Sequence, residues 1–206
     1  MKLDKLWNGL KQIANGDYVL EGDLICEEAL EIDLDDRLVV SGNIVVKKSI
    51  IAKRGIKAGW GIEAGWGIKA GWGIEAGWGI KAGEGIEAGW GIEAGEGIEA
   101  GWGIEAGEGI KAGWGIKAGE GIKAGEGIEA GEGIEAKTFI QSQKRIFAGV
   151  SVWHDSKNCK KVIKCAELRK GEIAFGALVI KKPVVEMTIA EIEKALGIEN
   201  LKIKNT

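Results

Sequence analysis

From Ile56 onward one binary pattern recurs: an isoleucine, a charged residue, an alanine, and then three residues without an aliphatic side chain. The unit is Gly-Ile-(Lys/Glu)-Ala-Gly-(Trp/Glu). It runs without insertion or deletion through thirteen full copies, Gly55 to Glu132, and a partial fourteenth ending at Ala136. A fixed short period outranks local propensity as a guide to fold. In an extended chain, alternate side chains point to opposite faces, so Ile and Ala share one face and the Lys or Glu between them takes the other. The Gly-x-Gly segment predicts a corner, read as backbone freedom because glycine reaches positive φ at little steric cost. Together these predict an all-β solenoid, a parallel β-helix with rungs about 4.8 Å apart around an Ile/Ala core.

The register reaches beyond the perfect repeats. Counting back in sixes from Ile56 meets Ile50, Ile44, Leu38, Ile32, Cys26 and Leu20. Counting forward from Ile134 meets Ile140, Ile146 and Val152. The predicted solenoid therefore spans 20–154, with degenerate ends around an idealised centre, as terminal repeats usually are.

Two turn sizes fit. Twelve residues, two hexads, would give a flattened coil; eighteen would give a triangular prism. Taken every twelve residues, the sixth position sorts into Trp66, Trp78, Trp90, Trp102 and Trp114 on one column and mostly glutamates on the other. That segregation favours twelve and a Trp ladder along one edge. The third position argues for eighteen, where nine neighbouring charge pairs are opposite and two alike, against five and seven at twelve. Exposed ion pairs contribute only about 0–1 kcal/mol, while aromatic stacking adds roughly 0.5–1.5 kcal/mol per pair. Twelve is the preferred reading and the eighteen-residue prism the alternative.

Both ends read as covers. Leu3, Leu6, Trp7, Leu10 and Ile13 form a helical stripe that stops at Asn15-Gly16, predicting an amphipathic capping helix over 2–15 within an N-terminal unit 1–19. Residues 155–206 read as a small α+β cap: strands Lys161 to Leu168 and Glu172 to Lys181 around a turn Arg169-Lys170-Gly171. Within it, a capping box Thr188…Glu191 opens a helix Ile189–Leu196, and Leu201 to Lys204 reads as a last strand. Covers matter because an uncovered terminal rung offers unpaired backbone to another molecule.

Composition removes competing classes. The 35 glycines sit with a single proline and no three-residue period, which excludes collagen. The regular Ile and Ala exclude a Gly-rich linker. The hexads are acidic, six Lys against fourteen Glu, so nucleic-acid binding along the rod is not expected. No stretch approaches the roughly 18 apolar residues of a membrane span, and Met1 to Trp7 lacks the apolar core of a secretory signal. With three cysteines (Cys26, Cys159, Cys165) in no metal or redox spacing, a cytoplasmic location is expected.

The segment Val39-Val40-Ser41-Gly42-Asn43-Ile44-Val45-Val46, followed by Ile50-Ile51-Ala52, resembles bacterial β-solenoids of the bactofilin and FapA-like kind. That resemblance covers about 38–60. It implies a cytoplasmic, non-enzymatic protein and, in the bactofilin case, filaments formed by end-to-end stacking. The hexad is also similar to that of acyltransferase left-handed β-helices, which carry a small residue two places before the aliphatic one. Here that place holds Trp or Glu, and Ala follows the Ile instead.

Little in the chain suggests reaction chemistry. His154, the only histidine, lies in Trp153-His154-Asp155 and reads as a surface residue, since sequence neighbours rarely form a catalytic pair. The hexads hold no Thr or Ser for an ice-binding face and no Asp-rich calcium-binding nonapeptides. No catalytic residue, metal ligand or cofactor is expected. The expected function is a structural or scaffold rod that presents a surface or self-associates, with a possible protein partner. The alternative is a module that binds a glycan or aromatic ligand on the Trp66, Trp78, Trp90, Trp102, Trp114 edge.

Overall fold

The computed structural model describes residues 1–149 and 162–181. It is a regular parallel β-solenoid of about eight turns, close to 40 Å of stacked rungs at about 4.8 Å each. Each hexad contributes one strand, Ile-x-Ala, with Ile and Ala buried and the middle residue outward, as in Ile62–Ala64 and Ile98–Ala100. Binary patterning alone places these side chains. The core is a column of isoleucines and alanines, every one at most 7% exposed from Ile56 to Ala136.

The turn is three-sided. Ile62 pairs with Ile80, Glu63 with Lys81 and Ala64 with Ala82, eighteen residues on, and this offset holds from Leu38 through Ala136. The first face carries Ile56, Ile74, Ile92, Ile110 and Ile128; the second Ile62, Ile80, Ile98, Ile116 and Ile134; the third Ile68, Ile86, Ile104 and Ile122. The preferred twelve-residue turn is therefore corrected to eighteen. The physical reason lies in the third position, where opposite charges come into line. Lys57 meets Glu75 at 2.7 Å, Lys69 meets Glu87 at 2.8 Å, and Lys123 meets Glu105.

The corners pair as tightly as the faces. Gly77 N–H donates to Ala58 O (3.1 Å), Trp78 N–H to Trp60 O (3.0 Å) and Ile62 N–H to Gly79 O (3.0 Å), so a rung's backbone is satisfied by its neighbours. No hexad glycine has positive φ; among the described residues the positive-φ glycines are Gly9, Gly16, Gly22, Gly149, Gly171 and Gly176. Backbone freedom is thus not what the corner glycines supply. A Cβ on Gly89 would lie 2.0 Å from Gly71 O, and one on Gly119 would lie 1.7 Å from Gly101 O. The fifth position is glycine because the rung beneath occupies the space.

Residues 2–15 form no helix. Lys2–Asp4 pairs parallel with Leu30–Asp33, and Lys11–Gln12 pairs antiparallel with Tyr18–Leu20. Leu3 is buried, Trp7 and Leu10 pack half-buried on the core, and Leu6 and Ile13 are exposed. A helix this short is marginal alone. The open edge of the first rung offers backbone partners instead, as in the Glu31 N–H bond to Met1 O at 2.8 Å. The segment thus pairs with two of the three strands of the first turn, while Leu24–Cys26 ends its own sheet.

Between the first and second turns the offset is twenty rather than eighteen: Tyr18 pairs with Leu38, Leu24 with Ile44 and Leu30 with Ile50. Two extra residues fall at the corner Asp33–Arg37, where Leu34 is buried and Arg37 pairs with Asp17 at 2.8 Å. Counting back in sixes therefore lands on Ile32, Cys26 and Leu20, which occupy the alanine place, while Leu30, Leu24 and Tyr18 take the isoleucine place.

At the other end Phe139–Ala148 rounds a corner as one strand, Ile140 pairing with Ile122 and Ile146 with Ile128. The next rung position on the second face belongs to Ile163, paired with Ile134. Glu167–Phe175 and Ala177–Ile180 then stack in parallel on Phe139–Ala148 and Val162–Cys165. The expected turn at Arg169-Lys170-Gly171 is inside a strand, because stacking in parallel covers Ile140, Ile146 and Ile163 as a hairpin would not. Val152, Trp153, His154, Cys159, the helix at 189–196 and the strand at 201–204 lie outside the described residues. Among the described residues no helix is long and apolar enough to cross a membrane.

Candidate functional site

An eighteen-residue turn sends hexads twelve apart to different corners, so the five tryptophans expected on one edge are divided among three. Trp66 and Trp102 share a corner column with Glu84 between them, followed by Glu120. Trp78 and Trp114 share a second, with Trp60 below and Glu96 between. Trp90 stands on the third, above Trp72 and below Glu108. The backbone traces each column: Glu84 N–H bonds Trp66 O at 3.2 Å and Trp102 N–H bonds Glu84 O at 3.1 Å. The single Trp ladder is corrected accordingly.

Face-to-face stacking does occur, in pairs the twelve-residue reading separated. Trp60 and Trp78 stack with centroids 5.6 Å apart and planes 9° from parallel; Trp72 and Trp90 stack at 4.9 Å and 3°. The Arg54 guanidinium lies 4.8 Å over the Trp72 ring, ending that column in a cation–π contact. Trp60, Trp72 and Arg54 were missed as site residues. The opposite-charge count at eighteen was the signal that would have aligned them.

Between corner and charged row each face carries a shallow furrow, floored by first-position glycine and walled by the sixth- and third-position side chains. The furrow on the first face encloses about 1040 Å³ and runs from Trp90 past Lys111 and Arg145 to Phe147. Those on the second and third faces enclose about 530 and 470 Å³. Their rims are amphoteric. Lys111 and Lys117 face Glu93 and Glu99 at 3.9 and 3.6 Å, contacts that solvent screens to about 0–1 kcal/mol each. Near the C-terminal end Lys181 approaches Glu135 at 3.0 Å, and that hydrogen bond holds the Glu135 carboxyl below its ordinary range.

Cys26 and Cys165 are buried free thiols, and burial pushes the Cys165 thiol up, away from thiolate chemistry. Among the described residues no three His, Cys, Asp or Glu side chains are grouped to hold a metal ion. The arrangement offers stacking surfaces, paired charges and long furrows, which suit binding and packing. No protein family, curated protein or solved structure matches this chain.

Proposed function

We propose that this chain is a non-enzymatic structural repeat protein, a rod of constant cross-section that presents its charged faces to partners or to other copies of itself. The observation that carries this reading is the unbroken in-register stacking of near-identical rungs from Leu38 to Ala136. That stacking gives the molecule length and a periodic surface. The likeness of residues 38–60 to bactofilin and FapA-like solenoids supports the same class and an intracellular setting. A second reading, a module for glycans or aromatic ligands, is favoured by the furrows that run beside Trp90, Trp102 and Trp114.

Sedimentation velocity over a concentration series, with electron microscopy of the same samples, separates the two. The rod reading expects particles of about 40 Å that associate as concentration rises. Monomers at every concentration, combined with tryptophan fluorescence that responds saturably to oligosaccharides, would replace the first reading with the second.

A further inference from the structure

We propose that the corner formed by Trp66, Glu84 and Trp102 is a binding site for an organic cation of the quaternary-ammonium type. The inference does not depend on the rod's structural role. Trp66 and Trp102 leave the same corner two rungs apart, which sets their backbones about 9.6 Å from each other. A cation held between the two rungs, about 4.8 Å from each, would have both indoles within the roughly 6 Å reach of a cation–π contact where they face it. The protein already makes this contact at the next corner, where Arg54 sits 4.8 Å over Trp72.

Glu84 supplies the charge. It stands between the two indoles in the same backbone column and takes part in no salt bridge among the described residues. It also lies lower than they do. Trp66 and Trp102 are 50% and 56% exposed, whereas Glu84 is half-buried. Glu96, likewise between tryptophans, is half-buried, as is Glu132 beside Trp114, while Glu108, Glu120 and Glu126 are exposed. Two aromatic walls thus overhang a carboxylate floor.

That combination selects for charge and for weak hydration. A neutral aromatic ring would face the carboxylate with nothing to neutralise it. A bare ammonium would give up strong hydration for ring faces that return little. A methylated ammonium is weakly hydrated, fills the gap and neutralises Glu84. The furrow of the third face opens beside the corner, lined by Glu84, Trp102, Glu120 and Ile51, and can take whatever chain the cation carries. Trp78, Glu96 and Trp114 repeat the arrangement one corner round.

The test is a fluorescence and calorimetric titration of the full chain with tetramethylammonium chloride, at ionic strength matched with sodium chloride. A saturable response is expected. The double variant Glu84→Gln/Glu96→Gln, which preserves shape, weakens it about tenfold, and Trp66→Leu/Trp78→Leu removes it. Trp90→Leu, which breaks a stack with no carboxylate between its rings, leaves the affinity unchanged. Choline and a trimethyl-lysine peptide then distinguish a free small cation from a methylated protein segment. The proposal is overturned if no saturable response appears. It is equally overturned if the Glu84→Gln/Glu96→Gln variant binds as tightly as the parent, or if 3,3-dimethylbutanol, the neutral isostere of choline, competes as well as choline does.

Discussion

Two glycines six atoms of backbone apart in the same corner answer to different constraints. At the first position a Cβ would meet the carbonyl of the next turn at an awkward but tolerable distance, 3.3 Å for Gly91 to Gly109 O. At the fifth position it would penetrate a carbonyl below, 2.0 Å for Gly89 to Gly71 O, with no flexible atom to yield. Gly89→Ala must therefore push two rungs apart and break corner hydrogen bonds, a loss expected at about 3 kcal/mol or more, on the scale of other overpacking and broken-network changes. Gly91→Ala is expected to cost about 1 kcal/mol or less, partly offset by the smaller entropy of the unfolded chain. Urea denaturation of the two variants decides it; equal losses would mean that clearance does not set the fifth position. A second residue-scale prediction concerns Asp17, whose carboxyl is held below the ordinary range first by its hydrogen bond to Arg37 and also by that residue's charge. Its pKa is lower folded than unfolded, so its stabilisation is complete above the unfolded value of about 3.9 and disappears as pH falls through the folded one. Melting temperature should accordingly drop on acidification below about pH 4, and Asp17→Asn should flatten that drop.

What a strand pairs with was harder to read than what it contains. The inward Ile and Ala and the outward Lys or Glu are dictated by alternation, and the structure has them there from Ile56 to Ala136. Neighbour identity is a long-range property, and identical hexads describe several registers equally well. The charge column pointed to eighteen, through nine favourable pairs, but was set against tryptophan stacking at twelve. Among the described residues two Trp–Trp stacks remain, and the many weak ion pairs outweigh the ladder that twelve would allow. The two-residue insertion was hidden because Leu30, Ile32 and Leu34 are all apolar, and counting in sixes succeeds in either register. The longer spacing from Ile134 to Ile163 was hidden for a similar reason, Val152 being an acceptable core residue at the unbroken count. Register can be fixed chemically. Glu75 and Glu93 are direct partners on neighbouring parallel strands, about 4.8 Å apart and within the span a disulfide bridges. Glu75→Cys/Glu93→Cys is expected to cross-link on mild oxidation; it removes a like-charge contact together with the exposed ion pairs of Glu75 to Lys57 and Arg37, each of about 0–1 kcal/mol. Glu75→Cys/Glu87→Cys, twelve apart and on different faces, should remain reduced. Peptide mapping reads both, and the reverse outcome would restore the twelve-residue turn.

The two ends of the rod are unequal, and a solenoid's stability is carried rung by rung, so that difference should be measurable. Each rung touches only its neighbours, which makes opening a process that starts at an edge and moves inward. At the N-terminal end Lys2–Asp4 and Lys11–Gln12 pair with two strands of the first full turn, and Leu3, Leu24, Leu30, Ile32 and Leu34 are buried there. The last strands described at the other end, Glu167–Phe175 and Ala177–Ile180, leave Phe175, Leu178, Val179 and Ile180 each at least 40% exposed. Register shifts also interrupt the pairing of Phe139–Ala148 with Glu167–Phe175. Fewer buried contacts and an irregular ladder lower the free energy of local opening. In hydrogen exchange followed by mass spectrometry, peptides covering 167–180 should therefore exchange first. Peptides covering 18–32 should follow, and those from 74 to 124, with a full rung on either side, should be slowest. Removing residues 2–12 should bring 18–32 forward to match the other end while leaving 74–124 unchanged. If 18–32 already exchanges as fast as 167–180 in the intact chain, the N-terminal strands do not close that edge, and both ends would then be equally open to another copy of the rod.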